Sequence, residues 1–140
     1  MTAQPIFTGD IKALSLWEPW ASFMRLGRKK NETRSWPTQY RGPLLICAAK
    51  KTTPKTIALA HHHGLRHLLC GEAVALVDLV DCVRTEDLNR EIDAREALLG
   101  DYSPKRYAWI TENLRVIKLF PVKGKQGLFN VNVEIYKETP

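Results

Sequence analysis

The sequence predicts an α+β domain: about six short, mostly antiparallel strands in a curled sheet, flanked by two or three short helices. Three observations lead there. Apolar residues fall in short runs that either alternate with polar ones or stay apolar throughout, as strands do. Helical patterns are few and do not alternate regularly with those runs, which disfavours a doubly wound parallel sheet. A length of 140 residues with 44% hydrophobic and 26% charged residues fits one globular domain over residues 1–140, with no linker, repeat or low-complexity tract.

Each element has its own signal. Ile11 to Leu16 reads as a short strand. Pro19 then suits the first turn of a helix in which Trp20, Phe23 and Met24 recur at helical spacing up to Gly27. Glu32 to Trp36 is extended and ends at Pro37, and Gly42-Pro43 precedes a buried strand, Leu44 to Ala49. Thr53-Pro54 is an N-cap followed by a first-turn proline, opening a helix with Ile57, His61, Leu65 and Leu68 on one stripe. Ala73 to Val80 is nearly continuously apolar, as expected of a strand covered on both faces. Thr85-Glu86-Asp87 begins an acidic helical segment with Leu88 and Ile92 on one side. Tyr107 to Thr111 and Leu114 to Phe120 read as two strands joined tightly at Glu112-Asn113. Phe129, Val131, Val133 and Ile135 alternate with polar residues in a half-buried strand.

Charge narrows the function classes. The net charge is +6, and division at Cys70 leaves 11 basic and 3 acidic residues in the first half against 10 basic and 12 acidic in the second. A positive face of that kind favours a polyanionic partner such as RNA. Three scattered cysteines without a CxxC pair predict a reducing, cytoplasmic setting. No apolar run approaches the roughly 20 residues that span a bilayer, so no membrane role is expected.

The richest stretch is Gly27 to Trp36. Strand alternation places Glu32, Arg34 and Trp36 on one face and Thr33 and Ser35 on the other, with Lys29 in the preceding turn, able to reach the mouth of that face. An ammonium, a carboxylate and a guanidinium together can position a phosphate, polarise a carbonyl or move a proton. They also suit a plain ion pair closing the helix-to-strand corner.

The spacing Gly27-x-Lys29-x-x-Glu32-x-Arg34 matches GxKxxExR, the signature of the ASCH domain, a relative of the RNA-binding PUA fold. Leu14-Ser15-Leu16-Trp17-Glu18-Pro19-Trp20-Ala21, Arg34-Ser35-Trp36-Pro37-Thr38 and Tyr40-Arg41-Gly42-Pro43-Leu44 also resemble segments of that family, so the likeness runs from Ala13 to about Lys50. Glu18 stands where the family often has Gln. The resemblance implies a PUA-like β-barrel whose signature residues line a ligand cleft. Separately, no cofactor and no metal are expected. The resemblance also implies a choice of activities: nucleic-acid binding, ribonuclease action, or deacetylation of acetylated cytidine. In the deacetylating branch the catalytic lysine corresponds to Lys29, but the threonine nucleophile's place is held by Glu32, which suits a base for water rather than an acyl acceptor.

The expected reading is RNA or modified-nucleotide binding in a basic cleft. Trp17, Lys29, Arg34, Trp36, Tyr40, Arg41, Lys50 and Lys51 are the candidate contacts, with Lys50 and Lys51 near the helix start at Thr53. If the cleft is an active site, Lys29, Glu32 and Tyr40 are its catalytic candidates, with Arg41 a further donor. A protein-interaction module is the third class. Trp20, sharing a stripe with Phe23, reads as core. Lys123 to Gly127 lacks P-loop spacing and reads as a basic hairpin turn, and the acidic stretch Glu86 to Asp101 reads as the face away from RNA. His61 to His63 and His67 lack a second ligand pair and read as non-metal residues.

Overall fold

The computed structural model describes residues 3–88 and 92–139. Six strands form one sheet: β1 (Phe7–Leu16), β2 (Asn31–Arg34), β3 (Gly42–Ala48), β4 (Glu72–Arg84), β5 (Tyr107–Pro121) and β6 (Leu128–Ile135). Their spatial order is β2-β5-β4-β3-β1-β6. Every pairing is antiparallel except β1 with β3, which run parallel with Lys12 opposite Leu44 and Leu16 opposite Ala48. Helices α1 (Trp20–Arg25), α2 (Pro54–His62) and α3 (Ala94–Leu98), with a 3-10 turn at Thr85–Asp87, complete the α+β architecture.

Period-two alternation divides the central strands between two cores. Leu14 and Leu16 of β1, Leu44 and Ile46 of β3, and Val77 and Leu79 of β4 pack with Met24 of α1 and Trp109. Ile11, Ala13, Leu45, Cys47, Ala73 and Leu76 face the other way, onto Ile117, Phe129 and Ile135. Both faces of β4 are therefore covered, which is why its sequence is apolar almost without interruption.

The expected barrel is not closed. β2 and β6 are edges of an open sheet. Among the described residues the curl is joined across the seam by an isolated bridge from Ile117 to Lys137. Arg25 reinforces that region, donating from Nη1 to the carbonyls of Val74 (2.7 Å) and Ile117 (2.8 Å) and pairing through Nη2 with Glu138 at 2.6 Å.

Other expectations are also corrected. The two strands expected at Tyr107 to Thr111 and Leu114 to Phe120 are one continuous strand, β5. Asn113 takes φ +56° within it, and its side chain donates to Asp78 at 3.0 Å, so the kink is absorbed by register shifts against β4 rather than ending the strand. The stripe of α2 does not bury Ile57 and His61. The helix stops at His62 and buries the small residues Thr56 and Ala60, while Gly64 at φ +80° turns the chain before Leu65. Its start follows expectation: Thr53 accepts from the Thr56 amide and Thr56 Oγ1 from the Thr53 amide. The acidic helical segment is divided into the 3-10 turn and α3, and residues 89–91 between them lie outside the described residues.

Candidate functional site

Because β1 and β3 run parallel, their carboxyl ends emerge side by side, delivering Ser15 to Trp17 and Ala49 to Lys51 to one end of the sheet. A cleft of about 1420 Å³ opens there. Its other walls come from α1 and β2, from Leu98 at the end of α3 through Asp101, from Arg106, and from the Lys123 to Gly127 loop between β5 and β6. The volume exceeds the roughly 300–1,000 Å³ of usual small-molecule pockets.

The signature segment is set by backbone geometry. Gly27 ends α1 at φ +72°, a left-handed conformation that favours glycine, and the Arg28 and Lys29 amides both donate to the Phe23 carbonyl, at 2.9 and 3.2 Å. From there Lys29 turns inward. It is only 2% exposed, and its Nζ donates to the Leu99 carbonyl at 3.1 Å. Glu96 of α3 fastens the same segment from outside, its Oε1 accepting from the Lys30 amide (2.6 Å) and the Asn31 amide (2.8 Å).

Glu32 and Arg34 follow in β2 and share a face, as alternation requires. Glu32 Oε1 lies 3.8 Å from Lys29 Nζ, and Oε2 lies 3.6 Å from Arg34 Nη2. Burial pushes the Glu32 carboxyl above its usual range, opposed by Lys29 and Arg34, and burial lowers the Lys29 ammonium, opposed by Glu32 and Glu96. Arg34 continues to the Ser15 carbonyl at 3.1 Å and stands 5.7 Å from the centre of the Trp36 ring. Trp36 lies beyond the end of β2, edge-on to Trp109 with ring centres 4.8 Å apart.

The structure thus brings Trp17, Lys29, Glu32, Arg34, Trp36, Lys50 and Lys51 to one cleft. It does not bring Tyr40 or Arg41. The Tyr40 hydroxyl donates to the Pro43 carbonyl, and Arg41 holds the carbonyls of Thr38 (3.0 Å) and Tyr40 (2.8 Å) and approaches Asp81 at 3.7 Å. Both close the turn into β3, away from the cleft lining. Lys29 also departs from expectation: it is buried in the wall under Leu99 instead of standing at the mouth.

Several lining residues were read otherwise from sequence. Trp20 is half-buried in the wall rather than in the core, and Leu98 to Asp101, expected on the far face, form one side. Lys123 and Lys125 of the presumed plain hairpin turn line the opposite side. Arg106 was missed; it donates to the Thr33 carbonyl at 3.1 Å and approaches Asp101 at 3.4 Å. Among the described residues, six Lys or Arg side chains besides the buried Lys29 therefore line the cleft against the carboxylates of Glu32 and Asp101. His63 is packed edge-on against Phe23 at 5.1 Å, and among the described residues no three His, Cys, Asp or Glu side chains gather as metal ligands.

A family model described as the ASCH domain matches residues 14–121, which include all of this cleft except the Lys123 to Gly127 loop. The chain belongs to the ASCH family. Among curated proteins, this ASCH domain is 28% identical over 138 residues to human "Activating signal cointegrator 1" and 27% identical over 137 residues to the mouse protein of that name. Each match covers 89% of this chain and 23% of the relative, so the chain spans about a quarter of those proteins. Among solved structures, the crystal structure of ASCH from Zymomonas mobilis superposes with a TM-score of 0.59 at 18% identity, covering 86% of this chain and 87% of that one. A mutant of the same Zymomonas mobilis protein gives a TM-score of 0.54 at 20% identity, over 79% and 75% of the two chains. These likenesses show the fold. Among the described residues of this ASCH domain, no helix is long and apolar enough to cross a membrane.

Proposed function

We propose that this ASCH domain binds single-stranded RNA along the cleft. The observation that carries the reading is six cationic side chains, besides the buried Lys29, around one groove that also exposes Trp17, at 41% of its surface. Cations neutralise phosphates without regard to sequence, and an exposed indole offers a stacking face for a base. The volume of about 1420 Å³ suits a strand better than one nucleoside.

The test is fluorescence anisotropy of a labelled single-stranded RNA across a salt series from about 50 to 200 mM. Log affinity is expected to fall linearly with log salt, by about 0.7 per neutralised phosphate. Absence of binding at low salt, or affinity indifferent to salt, overturns the proposal.

A second reading is favoured by one observation, the opposed shifts of Glu32 and Lys29 within the cleft. In it Glu32 takes a proton from a ribose 2′-hydroxyl that attacks the adjacent phosphorus and expels the 5′-oxygen, or from water that attacks an acyl carbon and expels the amine, and returns that proton to the leaving atom while Lys29 steadies the developing negative charge. Incubation with single-stranded RNA and with acetylated cytidine, in the presence of EDTA and with Glu32→Gln as control, decides it. Turnover by the wild type that falls at least about 100-fold in the variant supports hydrolysis. No turnover, or turnover unchanged in the variant, leaves the binding role alone.

A further inference from the structure

We infer that the floor of the cleft selects guanine and that Glu32 is the residue that reads it, an inference that rests on the RNA-binding reading above. The starting observation is a cleft-lining carboxylate that accepts no side-chain hydrogen bond among the described residues, with only the Thr33 backbone amide bearing on it. The Glu32 side chain is 15% exposed, yet no side-chain donor among the described residues comes closer to its oxygens than Arg34 Nη2 at 3.6 Å and Lys29 Nζ at 3.8 Å. Other buried carboxylates of this chain are used differently. Glu18 accepts from the Ser22 amide and hydroxyl and from the Leu69 amide, and Glu96 Oε1 accepts from two backbone amides. Both are structural clamps, and Glu32 is not.

A half-buried carboxylate in a groove built for polyanions repels phosphate, so it favours a ligand that presents N–H donors at that point. Each Glu32 oxygen has one cation beside it, too far for a direct hydrogen bond and too near to admit a third group between, so a ligand donor approaches the lone pairs on the cleft side with the cation flanking it. Guanine is the standard base whose Watson–Crick edge carries two adjacent donors, N1–H and the N2 amino group, matching the two oxygens of one carboxylate. Its O6 lies next to N1 and is an acceptor for the flanking ammonium or guanidinium. Adenine and cytosine offer one amino group beside a ring acceptor that would face the second carboxylate oxygen. Uracil offers one imide N–H between two carbonyls. Only guanine meets the floor without an acceptor opposing an acceptor.

The experiment compares short oligouridines carrying one central guanosine, inosine, adenosine or cytidine with plain oligouridine, by anisotropy at fixed salt. Guanosine is expected to bind at least about fivefold more tightly than uridine, the lower end of what one bidentate base contact discriminates. Inosine, which lacks the N2 amino group, falls between them. Glu32→Gln, whose amide offers one acceptor and one donor, is expected to erase the guanosine preference, with its melting curve reporting that it is folded. The inosine series keeps the inference testable on the wild type alone if the variant fails to fold. Binding with equal affinity for guanosine, inosine and uridine overturns the inference and leaves RNA binding standing. No binding to any oligomer overturns both.

Discussion

The Gly124 backbone lies against Ser15 so closely that a Cβ on Gly124 would stand 2.7 Å from Ser15 Oγ. Ser15 belongs to β1 and Gly124 to the loop that carries Lys123 and Lys125, so this contact holds two of the cleft's cations over the strand end. Ser15 Oγ itself is buried without a hydrogen-bond partner among the described residues. Small size at both positions, rather than a bond between them, sets the spacing.

Gly124→Ala is therefore expected to push the loop outward and weaken RNA binding about three- to tenfold, with a thermal midpoint close to that of the wild type, since the loop is exposed. Ser15→Ala together with Gly124→Ala restores the missing space and is expected to recover most of the affinity. A double-mutant cycle by anisotropy measures the coupling. Additive losses would show that the loop is positioned by something else.

Lys29 and Glu32 give a prediction with a definite sign. Lys29 opposes the upward shift that burial imposes on the Glu32 carboxyl, so Lys29→Met is expected to raise that carboxyl further. A carboxyl raised in the folded state contributes stability that is full below its unfolded value, about 4.3, and is lost as pH rises through its folded value. The variant's deficit relative to wild type should thus grow as pH rises from the wild type's own raised folded value to the variant's still higher one. Carbon-detected NMR titration of the Glu32 carboxyl, beside denaturant melts at each pH, checks both parts; a Glu32 titration unmoved by the substitution contradicts the pairing.

Glu18 is fully buried and accepts from the Ser22 amide at 2.8 Å, the Ser22 hydroxyl at 2.5 Å and the Leu69 amide at 2.9 Å, joining α1 to the segment before β4. Glu18→Ala leaves those donors without their acceptor and is expected to cost about 3 kcal/mol. Glu18→Gln presents an amide N–H₂ to at least one of them and should recover only part of this. Urea unfolding of the three proteins gives the comparison, and a Glu18→Ala variant as stable as wild type contradicts the clamp.

Thiol labelling separates the three cysteines. Cys47 is 1% exposed and burial pushes its thiol up to about 12, whereas Cys70 and Cys82 are partly exposed. At about pH 8 the folded protein should release two equivalents with a disulfide reagent and a third only after denaturant is added. Three equivalents from the native protein would mean that β3 opens readily.

The sequence by itself determined the local elements and much of the site. Alternation put Glu32 and Arg34 on one face, Thr53-Pro54 opened a helix, and the motif from Gly27 to Arg34 marked the family, because such signals act over a few residues and have fixed periods. Tertiary structure decided which charges meet. Arg106, Lys123 and Lys125 lie far beyond Lys29 and Arg34 in the chain, and only the sheet order and the parallel pairing of β1 with β3 bring them around one cleft. It also buried Lys29 beneath Leu99 and drew Tyr40 and Arg41 into the turn before β3. A side chain's partners there depend on contacts between distant elements, whose energies no local period encodes.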